Sequence, residues 1–235
     1  MYRAVLKDCL FLCLKDTKTV YDNISMTKIL RNVSIGLSLI LVSMLCALTS
    51  GCASNKNIQA SPKIYSKSAV SRNLTDKGIK KDKELVKFFL DNNNEISKKQ
   101  IKKMARCYIQ ECKTEGINSD CAFVQMCLET GFLRFGNLVT PDMHNYCGLG
   151  AMDAEHPGCW FETEQEGVRA HIQHLQAYGT TEDVKLNNEL VDPRYSWVHK
   201  TKYAQTVFDL AGVWATDVHY GEKLDAILTN MSSFK

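Results

Sequence analysis

The stretch SDCAFVQMCLETGFLRFG, residues 119–136, decides the fold class. Ala122, Phe123, Met126 and Cys127 recur at three- and four-residue spacing, which lines one face of a helix and does not suit the alternation of a strand. The helix begins near Ser119, after Gly116-Ile117-Asn118, and stops at Gly131. The same spacing recurs outward in both directions. Leu85, Phe88 and Phe89 mark one segment; Ile101, Met104, Ala105, Tyr108 and Ile109 mark another, which opens with Ser97 and Gln100 in a capping-box-like start. Val168, Ile172 and Leu175 mark a fourth helix, and Leu224, Ile227 and Leu228 a last one that Thr216 or Asp217 would cap. Between Phe132 and Glu166 there are Gly, Asn, Pro and aromatic residues but no long helical pattern, so a small irregular or β-hairpin lobe is expected there. The chain reads as mainly α, with a cleft between the helical body and that lobe, wide enough for a polymer to lie in.

The 235 residues, 45% hydrophobic and 23% charged, suit one domain with appendages. Four prolines and thirteen glycines exclude a collagen-like or low-complexity chain, and no internal period suggests a repeat protein. The net charge of +3 hides an asymmetry: residues 53–100 carry eleven Lys and Arg against five Asp and Glu, while residues 101–235 carry twelve against eighteen. The folded half is acidic and holds most of the aromatics, which argues against nucleic-acid binding.

From Met26, the better start, the order is Lys28 and Arg31, an apolar run from Val33 to Leu48, then Thr49-Ser50-Gly51-Cys52. That is the order of an export signal, and Ser34, Gly36, Ser38 and Ser43 make the run too polar for a permanent span. Small residues before Cys52 resemble the lipobox of bacterial lipoproteins, although Thr49 stands where Leu is usual. Residues 1–52 are therefore expected to be a signal region with Cys52 as the lipidation site, which places the protein in the cell envelope, anchored to a membrane. Residues 53–80, rich in Ser, Asn and Lys, read as a polar basic tether, leaving 81–235 as the catalytic domain.

Six cysteines lie beyond the tether, Cys107, Cys112, Cys121, Cys127, Cys147 and Cys159, and an even number in an exported domain predicts disulfides, with fifteen possible pairings. None forms a CxxC pair, so neither a metal nor any other cofactor is expected. His171 and His174 lack the Glu of an HExxH site and read as a solvated helix face. Cys147 has no privileged histidine that would make it a peptidase nucleophile.

Glu129, at the end of an amphipathic helix and beside Phe132 and Phe135, is placed to be a proton donor, because burial against the rings would keep its carboxyl protonated near neutral pH. Its surroundings are recognisable. Glu129-Thr130-Gly131 with Phe135-Gly136, Asn145-Tyr146-Cys147-Gly148-Leu149-Gly150, Gly167-Val168-Arg169-Ala170 with Gln173-His174-Leu175, Val191-Asp192-Pro193-Arg194, Trp214-Ala215-Thr216-Asp217, and Tyr220-Gly221-Glu222-Lys223-Leu224 follow one another in order. Together they resemble the bacterial glucosaminidase domain, similar to mannosyl-glycoprotein endo-β-N-acetylglucosaminidases, over roughly 116–228. The resemblance implies a lysozyme-like fold and cleavage of peptidoglycan glycan after N-acetylglucosamine. It also implies that Glu129 is the general acid and that Tyr220 lines the cleft and stabilises the reacting sugar.

A second carboxylate would complete the usual pair, and Glu162 or Glu164, just before the Gly167 block, is preferred; if the substrate's own acetamido oxygen attacks, no second acid is needed. Tyr146, Trp160 and Phe161 offer flat faces to sugar rings, and Asn145 offers a donor and an acceptor to an acetamido group. Arg169 and Asp192 are accounted for by a buried ion pair. The partners expected are glycan strands and, through the anchor, a membrane, with the chain acting as a monomer. Rival readings are a muramidase or lytic transglycosylase of related fold, and a catalytically silent glycan-binding lipoprotein.

Overall fold

A computed structural model describes residues 70–235. The described chain is mainly helical: α1 (Asp82–Asn92), α2 (Lys98–Glu115), α3 (Ser119–Glu129), α4 (Glu164–Gly179), α5 (Tyr195–Thr201) and α6 (Tyr220–Ser232), with one 3₁₀ turn at Pro141–Met143. Five of these helices lie where the apolar spacing puts them. Ser97 caps α2 by accepting from the Gln100 N–H, and Gly116 ends it in the left-handed region. The short helix α5 carries too little periodicity to be read from sequence. At the start of α6 the N-cap is His219; Asp217 accepts from the His219 N–H and pairs with Lys223 instead of capping the helix itself.

Helix α3 is the axis of the body, with α2, α4 and α6 packed against it. Every residue from Ser119 to Cys127 is buried, so α3 has no solvated face and its apolar stripe merges into a continuous core. Helix α4 is equally enclosed, so the expected solvated face at His171 and His174 is corrected: both are buried.

Residues 70–80 are part of this body, which moves the boundary of the expected tether. Val70 and Leu74 are in the core, Leu74 N–H donates to Gln205 O, and Asn118 N–H donates to Leu74 O. Arg72 pairs with Asp225 on α6, and Asp120 accepts from the N–H groups of Ile79 and Lys80. The segment straps the start of α3 to α6. The signal region, Cys52 and residues 53–69 lie outside the described residues. No helix among the described residues is long and apolar enough to cross a membrane.

The lobe from Phe132 to Thr163 is irregular. The described residues hold only two isolated β-bridges, both elsewhere, so no hairpin forms. Gly167, in the first turn of α4, is what seats it: a Cβ there would lie 1.8 Å from His144 O, so only glycine lets the lobe close on the helix. His144 Nδ1 and the Phe161 N–H then join the two ends of the lobe through Phe161 O and Met143 O.

The expected disulfides are absent: no bond joins any two of the six cysteines. Cys112, Cys121, Cys127 and Cys147 are buried and act as small apolar side chains, and Cys121 Sγ also donates to Ser71 O on the strap.

Candidate active site

Glu129 is the last residue of α3, and the chain turns sharply after it. Gly131, Phe132, Leu133 and Phe135 all adopt positive φ, between 55° and 59°, and three of the four are not glycine. Such residues cost of order 1 kcal/mol each and persist only where the surroundings hold them. Here the Phe132 ring packs against Phe88 and Phe89, each at 5.7 Å between centroids, and Asn93 Nδ2 donates to Phe132 O. Thr130 Oγ1 donates to Met126 O and accepts from the Leu133 N–H. The tight left-handed turn stops α3 abruptly and leaves the Glu129 side chain at the edge of the cleft.

Beside it lies a cavity of about 320 Å³, with Glu129, Phe135 and Tyr220 on the body side and Asn145 and Gly148 on the lobe side. Among the described residues that line it, Glu129 is the only carboxylate. Its Oε1 accepts from Trp214 Nε1–H at 3.0 Å and from the Tyr220 hydroxyl in a very short hydrogen bond. Burial raises the Glu129 carboxyl above the ordinary carboxylate range, and the hydrogen bonds from Tyr220 and Trp214 only partly offset it. Both donors sit on Oε1, and the other oxygen, Oε2, faces Gly148 across the cavity.

Behind Tyr220 the hydrogen bonds form a line with a fixed direction. Gln125 Nε2 donates to Tyr220 Oη at 2.9 Å, so the Tyr220 hydrogen points at Glu129. Gln125 Oε1 accepts from His171 Nε2 at 3.1 Å, which makes Nε2 the protonated nitrogen, and Nδ1 in turn accepts from the Tyr108 hydroxyl at 2.9 Å. His171 is fully buried, and burial first, then His174, pushes its pKa down to about 3, so it stays neutral and holds this tautomer. Burial and the neighbouring Glu129 keep the Tyr220 hydroxyl well above its usual range, and therefore protonated.

Not every residue expected at the site is brought to it. Asn145 lines the cavity, but Nδ2 donates to Leu149 O and Cys159 O, and Oδ1 accepts from the N–H groups of Cys147 and Leu149. All its hydrogen-bonding capacity holds the lobe backbone, which leaves none for an acetamido group. Tyr146 and Phe161 are buried in packing, and Trp160 is exposed away from the cavity lining. Glu162 is exposed, and Glu164 pairs with Lys103 on α2. Arg169 and Asp192 do not pair with each other: Arg169 meets Glu111, and Asp192 meets His174 at 2.8 Å. The Cys147 thiol is pushed well up by burial and then by Glu129, the reverse of what a nucleophile needs.

Trp214 and the pair Gln125 and His171 escaped the sequence reading as site residues. Trp214 stands inside a matched block, and Gln125 lies one helical turn before Glu129 on the same face, a visible signal. The family model for mannosyl-glycoprotein endo-beta-N-acetylglucosaminidase matches residues 105–233, from α2 to the end of α6. The chain belongs to the glucosaminidase family. An uncharacterized protein of Borreliella burgdorferi is 40% identical to it over 161 residues, 68% of this chain and 78% of that protein. No solved structure matches the chain. Membership makes this glucosaminidase domain a glycoside hydrolase of the peptidoglycan type, acting on a glycan. The family match spans all of the wall that carries Glu129, Trp214 and Tyr220.

Proposed function

We propose that the protein is an endo-β-N-acetylglucosaminidase that cuts peptidoglycan glycan after N-acetylglucosamine, with Glu129 as its general acid. The observation that carries this reading is a buried carboxyl with both donors on Oε1, which leaves Oε2 toward an open cavity to carry the acid proton. Oε2–H gives its proton to the glycosidic oxygen as the bond to the anomeric carbon breaks. Because Glu129 is the only carboxylate among the described residues that line the cavity, the sugar's acetamido oxygen is the group that bonds to the anomeric carbon. Water then opens that cyclic intermediate, its hydroxyl going to the anomeric carbon and its proton returning to Glu129. Tyr220 and Trp214 hold the carboxylate formed between the two steps.

The export signal and Cys52 support a lipid-anchored envelope location, where this substrate lies. Labelled palmitate should enter the wild type and not Cys52→Ala.

Purified peptidoglycan digested by the wild type and by Glu129→Gln, with the new reducing ends reduced and identified by mass, tests the activity. N-acetylglucosaminitol ends from the wild type alone are expected. Muramitol or anhydromuramic ends would replace the reading by a muramidase or a transglycosylase, and binding without any product by a silent glycan-binding protein.

A further inference from the structure

The Glu129 cavity continues into a second hollow of about 260 Å³, and the two share Cys147, Gly148, Ala151 and Trp214. Trp214, which donates to Glu129, thus lines both. The second hollow is lined by cations: Arg194 and Lys202, with Trp197 between them. The Arg194 guanidinium and the Lys202 ammonium each sit 5.5 Å from the centre of the Trp197 ring, which is 51% exposed.

Among the described residues, neither cation has a carboxylate within ion-pair distance. Asp192, two residues from Arg194, is buried and already committed: its Oδ2 meets His174 Nδ1 and its Oδ1 accepts from the Arg194 N–H, both at 2.8 Å. In a half of the chain where acids outnumber bases eighteen to twelve, two cations without an acidic partner converge on a hollow next to the catalytic carboxyl. A guanidinium fork and a point ammonium suit a carboxylate, and the exposed indole beside them suits the apolar face of a sugar.

We propose that Arg194 and Lys202 form a carboxylate subsite that binds the acid carried by the muramic-acid residue next to the cleaved bond. The inference rests on the glycan reading above and narrows its substrate: the site selects acid-bearing cell-wall glycan over neutral chains of N-acetylglucosamine. The acid is the lactyl carboxylate in glycan stripped of its stem peptides, or a stem-peptide carboxylate in intact peptidoglycan.

The test is binding, measured in the Glu129→Gln background so that it does not depend on turnover. Soluble intact peptidoglycan fragments, the same fragments stripped by an amidase, and chito-oligosaccharides of equal length are titrated into Glu129→Gln and into Glu129→Gln with Arg194→Ala and Lys202→Ala. The expected result is a loss of ~10–100-fold on an acid-bearing glycan, the scale of one or two charge-assisted hydrogen bonds, steeper at low salt. Affinity for chito-oligosaccharide should start lower and stay unchanged. Loss on the stripped glycan assigns the lactyl carboxylate, and loss on the intact fragments alone assigns the stem peptide. An equal loss on chito-oligosaccharide, chito-oligosaccharide binding as tight as both acid-bearing glycans, or no loss on either acid-bearing glycan overturns the proposal. Failure of the hydrolase reading would show separately, as an absence of products from the wild type.

Discussion

On the helical wall of the cleft, Tyr108, His171, Gln125 and Tyr220 pass hydrogen bonds in one direction to Glu129. On the lobe wall, Asn145 spends its whole amide on the backbone of Cys147, Leu149 and Cys159. Both are buried polar arrangements in which each member is satisfied, yet only the first ends on a carboxyl that faces the cavity. On the proposed reading, the chemistry belongs to the body and the shaping of the groove to the lobe. It also explains why a lobe with no regular structure keeps one form: its backbone polar groups are met by a side chain where a ladder would otherwise meet them.

The sharpest way to break this division is at Glu129. Glu129→Gln should lower turnover of peptidoglycan by ~10²–10⁴-fold, the range for a lost general acid, without unfolding the chain. The same substitution should stabilise the fold above neutral pH. The folded state binds the Glu129 proton more tightly than the unfolded state does, so this site's contribution is complete below the unfolded carboxylate pKa and is lost as pH rises through the raised folded value. Glu129→Gln should therefore melt higher than the wild type at pH 8, with the difference shrinking as pH falls toward the unfolded carboxylate pKa.

Asn145→Ala tests the other wall. It removes four hydrogen bonds from buried backbone, so a stability loss of ~2–4 kcal/mol is expected by chemical denaturation. Activity should fall with the loosened groove, as a rise in KM, while the pH at which activity declines stays in place.

Tyr220→Phe and Gln125→Leu should move that pH. The acid works protonated, so activity falls as pH rises through the Glu129 pKa. The Tyr220 hydrogen bond favours the carboxylate, so its loss shifts the decline to higher pH while kcat drops. Gln125 is a positioning residue, and Gln125→Leu should produce the same shift, smaller, with kcat reduced ~10-fold, about the cost of one buried hydrogen bond. A pH–rate profile that stays fixed in both variants would detach the line of hydrogen bonds from the chemistry.

The smallest effect is expected at Glu162→Gln and Glu164→Gln. Neither side chain lines the cavity, and surface changes of this kind stay within about 0.5 kcal/mol of the wild type in stability. Turnover on peptidoglycan should be nearly unchanged. A large loss in either variant would show that the lobe wall supplies a second carboxylate after all.

The sequence by itself determined the helical class, the places of five helices, the cleft between body and lobe, and the family, because apolar spacing and ordered motifs are local and survive without coordinates. It also marked Glu129, through its place at a helix end beside Phe132 and Phe135. Only the tertiary structure decided which polar residues act and which hold. Asn145 and Gln125 carry the same amide, and their roles diverge because one meets loop backbone and the other meets Tyr220 and His171 across two helices. His171, read as solvated, is buried because α4 is enclosed on all sides, a property of packing that no single helix's periodicity encodes. Cysteine count suggested covalent links, but a bond requires two sulfurs to face each other, and that is settled by where the core places them.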